Sequence, residues 1–579
     1  MAAARISLVA LAALAVSCAP PAPPVTAPPV AVAAPPPATT APPAPRGPRL
    51  SVTLRPLVEP SLRIQVEVVA EGEGADLRAW ALGEGSPSAL RDLTARDDDG
   101  PVSFQEDHGA LSLARAPRGA VHVRHELPAA GARAASPLAA LVIPSAMRAT
   151  GEALLLLPVA YDEKTIPTTL RIDADALGAT GAASSLGIGV VKEQPVRGRF
   201  LRHAAFIAGQ LGTAVFHTME AEDEAAWIGV TAFDPRAAAS EAAIVRGVVE
   251  TFFGGHEVGP MPLLVVGHVN PQRLLAMSRR SNSMLLNVGM AEPWGPAPRI
   301  AIAHQVVQKW IGGAVWVGPD DPVHEAESYW FSEGVARFFA RAILFRVGLL
   351  EADELRDSVA ADLATLLTSP LRGERNAEVA SHVASEGAMA LLVARGSLYA
   401  LGVDARIRDR TAHKKSLDAV MLALLRDARE GHRRVLPQSA WTSALRTELG
   451  EDEVKTFADS IVEGHLPPIP ADALGPCFRR TEGRYARFDL GFDEPATRAA
   501  AGHTVTGLER GGPAERAGVR AGDALVSATF DPGWAQGPAK LELTRAGKPL
   551  VITYLPAGES VKGPAWTRRK ELSNEKCKP

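Results

Sequence analysis

Ala303-His304-Gln305-Val306-Val307-Gln308-Lys309-Trp310, followed by Ser328-Tyr329-Trp330-Phe331-Ser332-Glu333-Gly334, decides what this chain is. Pro298 opens a helix through the first segment, and Gly312-Gly313 ends it. On such a helix two histidines four residues apart share a face and hold zinc. A glutamate beside the first activates water, and a later glutamate completes the ligand set. Only His304 and Glu333 stand at such positions. Gln305 has no carboxylate with which to take a proton from water. Gln308 offers a neutral amide oxygen instead of an imidazole, a weak zinc ligand. Two ligands do not make a stable zinc site. On residue chemistry alone, His304 and Glu333 are a polar pair on packed helices.

Working outward, the chain from Leu50 to about 190 prefers strands. Ser51-Val-Thr-Leu-Arg55 and Leu62-Arg-Ile-Gln-Val-Glu-Val-Val69 alternate polar and apolar residues, and Ala120 to His125 and the apolar run from Ala153 extend the pattern. Between about 195 and 300 strand and helix signals mix. Asp234 caps a helix expected over 235–253, and Pro262-Leu-Leu-Val-Val-Gly267 and Ser283-Met-Leu-Leu-Asn-Val288 read as strands. Helices dominate from 330 to about 470, with segments expected at 332–347, 351–367, 386–394, 416–430 and 452–461. Pro467, Pro468 and Pro470 mark a linker, beyond which short strands return.

The 579 residues carry 61 Lys plus Arg against 65 Asp plus Glu, a net charge of −4 that excludes a polybasic nucleic-acid binder. Three cysteines exclude a zinc ribbon or a dense disulfide scaffold. Residues 1–17 read as an export signal: Arg5, then an apolar run from Ile6 to Val16, too short to span a membrane. Leu14-Ala15-Val16-Ser17-Cys18 resembles a bacterial lipobox, with Cys18 lipidated. Residues 18–48 form a Pro/Ala-rich linker, 13 prolines in the 30 positions after Cys18, an extended spacer unable to bury a core. No further spanning helix is expected. The remaining cysteines, Cys477 and Cys577, bracket the last domain, and in an exported protein they either pair or stay separate thiols.

The layout resembles the M61 glycyl aminopeptidase family, relatives of the M1 aminopeptidases. His304-x-x-x-Gln308-x-Trp310 is similar to that family's HExxHxW, and Trp330-Phe331-Ser332-Glu333-Gly334 to its W-x-x-E-G. The resemblance implies a multidomain α+β chain. Its parts are an N-terminal β-sheet domain (49–192), a thermolysin-like metallopeptidase-type domain (193–340), a helical domain (341–470), a C-terminal PDZ-like β domain (480–563) and a tail (564–579). It places His304 and Glu333 at zinc-ligand positions, Gln308 at the second histidine and Gln305 at the general base. The family's Y-x-K-G tyrosine, which steadies the oxyanion, aligns with Ala384, before Ser385-Glu386-Gly387. Glu327 has the third-ligand spacing of the M1 relatives, so His324, Glu325 and Glu327 offer an alternative metal set.

Asp489-Leu490-Gly491-Phe492 resembles a PDZ carboxylate-binding loop, whose backbone N–H groups receive a peptide terminus. A structural use of that module against its own body is the competing reading. Base, second ligand and oxyanion group are thus absent while the scaffold positions remain. The expectation is a catalytically inactive homologue, with no cofactor, that binds peptides or proteins through its cleft and PDZ domain. Trp310, Trp330 and Phe331 are candidate cleft residues. The protein would be lipid-anchored in the bacterial cell envelope and periplasm-facing, with outer-membrane sorting compatible with Ala19. The alternatives are an active zinc aminopeptidase with a non-standard site and a purely structural envelope lipoprotein.

Overall fold

Alternating side chains lay down the first sheet. The computed structural model describes residues 47–573, apart from 84–86, 108–109, 132–138, 218–221, 255–260, 269–274, 322, 531–532 and 534, together with Cys577. The signal segment, Cys18 and the proline-rich stretch up to Arg46 lie outside the described residues. Strands Arg49–Leu57 and Arg63–Glu71 pair antiparallel with Val52 opposite Val68, and the second pairs with Val121–Pro128. Their inward residues, among them Val52, Leu54, Val66, Val68 and Val123, are fully buried in one core. The seven-stranded sheet so built has Val191–Arg197 at one edge. That strand runs across residue 192, where the sequence ended the β domain. A second sheet takes in Ala205–Gly209, so N-terminal pairing continues to that strand. The apolar run from Ala153 is not a strand. It is a short helix, Gly151–Leu154, followed by the two-residue strand Leu157–Pro158, with Leu154 to Leu157 all buried. A short apolar run fits a buried helix or strand equally well by periodicity.

The next sheet explains the continuous apolar runs. Glu222–Ile228, Leu263–His268 and Ser283–Gly289 are parallel, with Gly212–His217 and Leu275–Arg280 antiparallel at the two edges. Leu263, Val265, Met284 and Leu286 face a helical core, whereas Leu264, Val266 and Leu285 face Ala146, Ala205 and Ile207 of the N-terminal sheet. A strand covered on both faces reads as an unbroken hydrophobic run.

Helix α1, Pro235–Phe253, starts where the sequence placed it, with the Asp234 carboxylate accepting the Arg236 N–H. Helix α2, Pro296–Val307, carries His304 and lies against α1 and against α3, Ala336–Val347. Before α3 the chain makes a π-helical turn, Trp330–Val335, rather than the α-helical start expected at 332. Helix α4 is Ala352–Thr368, and α5 is Glu386–Arg410, well beyond the expected end at 394. Gly396, just past that expected end, is the contact point of α5 with the π turn: a Cβ there would sit 1.8 Å from the Trp330 carbonyl oxygen. By length and composition α5 qualifies as a membrane span, yet most of it is buried inside the fold.

The C-terminal region has two parts. A long antiparallel ribbon, Phe478–Phe488 with Ala557–Arg568, packs on α4, and its Tyr485 and Trp566 enter the main helical core. Beyond it, three strands (Ala524–Thr529, Ala539–Arg545, Lys548–Tyr554) and the short helix Pro513–Arg516 close a separate core around Leu541, Leu543, Val519 and Phe492.

Candidate functional site

Helix α2 and the π turn bring His304, Gln308 and Glu333 together, and the three satisfy one another. His304 Nε2 lies 2.9 Å from the Glu333 backbone oxygen. A carbonyl only accepts, so Nε2 carries the proton and donates. The same nitrogen is 3.5 Å from Glu333 Oε2. The Gln308 side-chain N–H donates to Glu333 Oε1. The π turn presents both the backbone oxygen and the carboxylate of Glu333 to α2, the kind of irregularity that π-bulges introduce.

Burial governs the charges here. It drives the pKa of His304 down to about 4, helped by the nearby Arg337 guanidinium, so the imidazole is neutral at pH 7. Burial raises Glu333 to about 7, against the Gln308 hydrogen bond and Arg279, which favour the carboxylate. Behind His304, Asp362 accepts from Arg337 at 3.0 Å and pairs with Arg341 at 2.8 Å. Burial raises its pKa, but the two guanidiniums outweigh it and hold the carboxyl below its ordinary range.

The other candidates lie elsewhere. Gln305 is half-buried on α2. Ala384 is exposed in the turn before α5, where Ser385 caps the helix through the Ala388 N–H, and its methyl offers nothing to an oxyanion. His324 pairs with Asp321 at 2.8 Å on an exposed turn, and Glu325 accepts from Tyr329 Oη at 3.1 Å. Among the described residues no three His, Cys, Asp or Glu side chains form a metal-holding group.

Trp310, Trp330 and Phe331 do not line a cleft. Trp310 stacks on Phe253 at 4.8 Å, and Trp330 is enclosed by Phe331, Tyr399, Trp441 and Phe457. All three are buried, because at these positions the aromatic area fills the interface between α1, the π turn and α5.

In Asp489-Leu490-Gly491-Phe492, Gly491 has φ +75°, and its N–H donates to Asp489 Oδ1 at 2.7 Å. Tyr554 Oη donates to the Leu490 carbonyl at 2.8 Å, and Phe492 is buried in the small core. Cys477 and Cys577 form a disulfide.

One neighbour of the site was not read from the sequence. Arg279, at the end of the edge strand Leu275–Arg280, is close enough to Glu333 for each to shift the other. The signal available was the Arg279-Arg280 pair closing an otherwise mostly apolar strand.

No family model and no curated protein matches the chain. Its fold does match solved structures. The crystal structure of an aminopeptidase N family protein from Idiomarina loihiensis aligns with a TM-score of 0.63 at 14% identity, covering 89% of this chain and 98% of that one. A mutant M1 zinc metallopeptidase from Deinococcus radiodurans, bound to a Tyr-Ser-Ala substrate, aligns at 0.44 and 17% identity over 73% of this chain and 95% of that one. The chain therefore has a multidomain α+β architecture, with a β-rich N-terminal part and a helical part, similar in fold to that aminopeptidase N family protein.

Proposed function

We propose that this chain is a catalytically inactive, M61-like peptidase homologue that binds a peptide or protein ligand in the cell envelope, anchored through a lipid on Cys18. The observation that carries the loss of catalysis is the closed set His304–Glu333–Gln308. A catalytic zinc takes three protein ligands, each offering a deprotonated lone pair. Here the imidazole Nε2 donates to a carbonyl, one glutamate oxygen accepts from an amide, and no base stands beside His304. These residues do not fit the metal, and no hydrolytic step runs through them.

The C-terminal module is read as PDZ-like from its three strands, short helix and glycine loop. A purely structural role for that module is favoured by one observation: the Gly491 N–H, which a peptide carboxylate would need, already donates to Asp489.

The test is elemental analysis of the purified chain after exposure to excess zinc. The expected content is below about 0.1 zinc per chain, and a value near one overturns the reading. The Q305E/Q308H variant should gain zinc if those two positions alone removed it. Cys18→Ser should release the protein from membranes, and unchanged fractionation refutes the anchor.

A further inference from the structure

A pocket of about 690 Å³ lies between the N-terminal β region and the hairpin that follows Leu275–Arg280. Four arginines line it: Arg197, Arg199, Arg279 and Arg280. The carboxylate in its wall, Glu152, is fully engaged, accepting from Arg280 at 2.6 Å and bonded to His203 Nδ1 at 2.7 Å. Arg199 pairs with Glu163 at 2.8 Å. The side chains of Arg197 and Arg279 make no hydrogen bond or ion pair among the described residues, and both residues are exposed.

Arg279 is at once solvent-accessible and so surrounded by protein that desolvation lowers its pKa, as expected for a group lining a deep cleft. Its charge is also felt at Glu333. Among the described residues the strand that carries it is a sheet edge paired with Ser283–Gly289 alone, the kind of strand to which an extended chain adds. A concave wall with an excess of positive charge concentrates the field, and a guanidinium fork matches a carboxylate with two parallel hydrogen bonds.

We propose that this pocket receives the carboxylates of an acidic peptide, with Arg279 and Arg197 as the receiving groups. This rests on the peptide-binding reading above and adds the ligand class to it. The experiment uses the full chain and a fluorescein-labelled glutamate-rich peptide beside its glutamine isostere, followed by anisotropy. The acidic peptide should bind at least about ten-fold tighter at low salt, with the margin shrinking as salt rises. In R197Q/R279Q, which removes no side-chain hydrogen bond or ion pair among the described residues, the preference should vanish while the isostere binds as before. An unchanged melting midpoint shows that this variant is folded. Equal binding of both peptides to the wild type overturns the pocket and leaves peptide binding standing. An acidic preference that survives in R197Q/R279Q overturns the assignment to these arginines. Binding of neither peptide removes the peptide-binding reading and this inference with it.

Discussion

On one side of the turn Trp330–Val335, Trp330 and Phe331 are buried among Tyr399, Trp441 and Phe457, and Gly334 presses against Gly396 of α5. On the other side, Glu333 is hydrogen-bonded to His304 and Gln308, through bonds that could each be lost without opening the aromatic core. The first side is fixed by shape, where an added methyl has nowhere to go. The second is fixed by polar pairing, which other residues of similar size can imitate. A fold can therefore keep the turn while its chemistry changes, because what holds the turn is not what a metal would use.

The sharpest test of that contrast is Gly396→Val. The added side chain starts 1.8 Å from the Trp330 oxygen, so α5 must move, and no folded protein is expected on expression or by circular dichroism. A stable, folded G396V would break the claim that shape holds the turn. Trp330→Ala comes next, with an expected loss of about 3–5 kcal/mol in urea denaturation.

The polar side predicts a pH signature of about 2–3 kcal/mol. His304 falls from 6.5 to about 4 on folding, so the unfolded chain binds more protons between those values. Its contribution to stability is present above pH 6.5 and lost as pH falls toward 4. Glu333 rises from 4.5 to about 7, so its contribution is present below pH 4.5 and lost as pH rises through 7. The two oppose each other and largely cancel between pH 4.5 and 6.5. In E333Q, stability measured by urea denaturation should therefore climb with pH across that window, and in H304A it should fall. Parallel profiles in both variants would show that the pair does not titrate as described.

The smallest effects separate Gln308 from its neighbour. Gln308→Ala leaves a buried carboxyl oxygen without its donor and should cost about 1–2 kcal/mol. Gln305→Ala should stay within about 0.5 kcal/mol. Equal costs would mean that Gln305 belongs to the polar set as well.

Much of this was legible in the sequence because periodicity and caps report local structure. The alternation in Arg49–Leu57 and Arg63–Glu71, and Asp234-Pro235 at the start of α1, became the expected elements. The vicinity of His304, Gln308 and Glu333 followed from motif spacing, and the structure brings those three side chains together. What failed was non-local. The helix expected to end at 394 runs on through Gly396, which accommodates a turn distant in sequence, and Trp310 and Trp330 look available until their neighbours are counted. Arg279 is distant in sequence from Glu333, and only the fold brings the two charges near enough to interact.

The bond between Cys477 and Cys577 has a topological consequence. It fastens the start of the ribbon to the far end of the chain, so everything between the two cysteines is a closed ring. A protease that cuts anywhere between Phe478 and Glu575 opens this ring without detaching either fragment. The cleaved protein would migrate as one species until a reductant is added, and only then would the damage become visible.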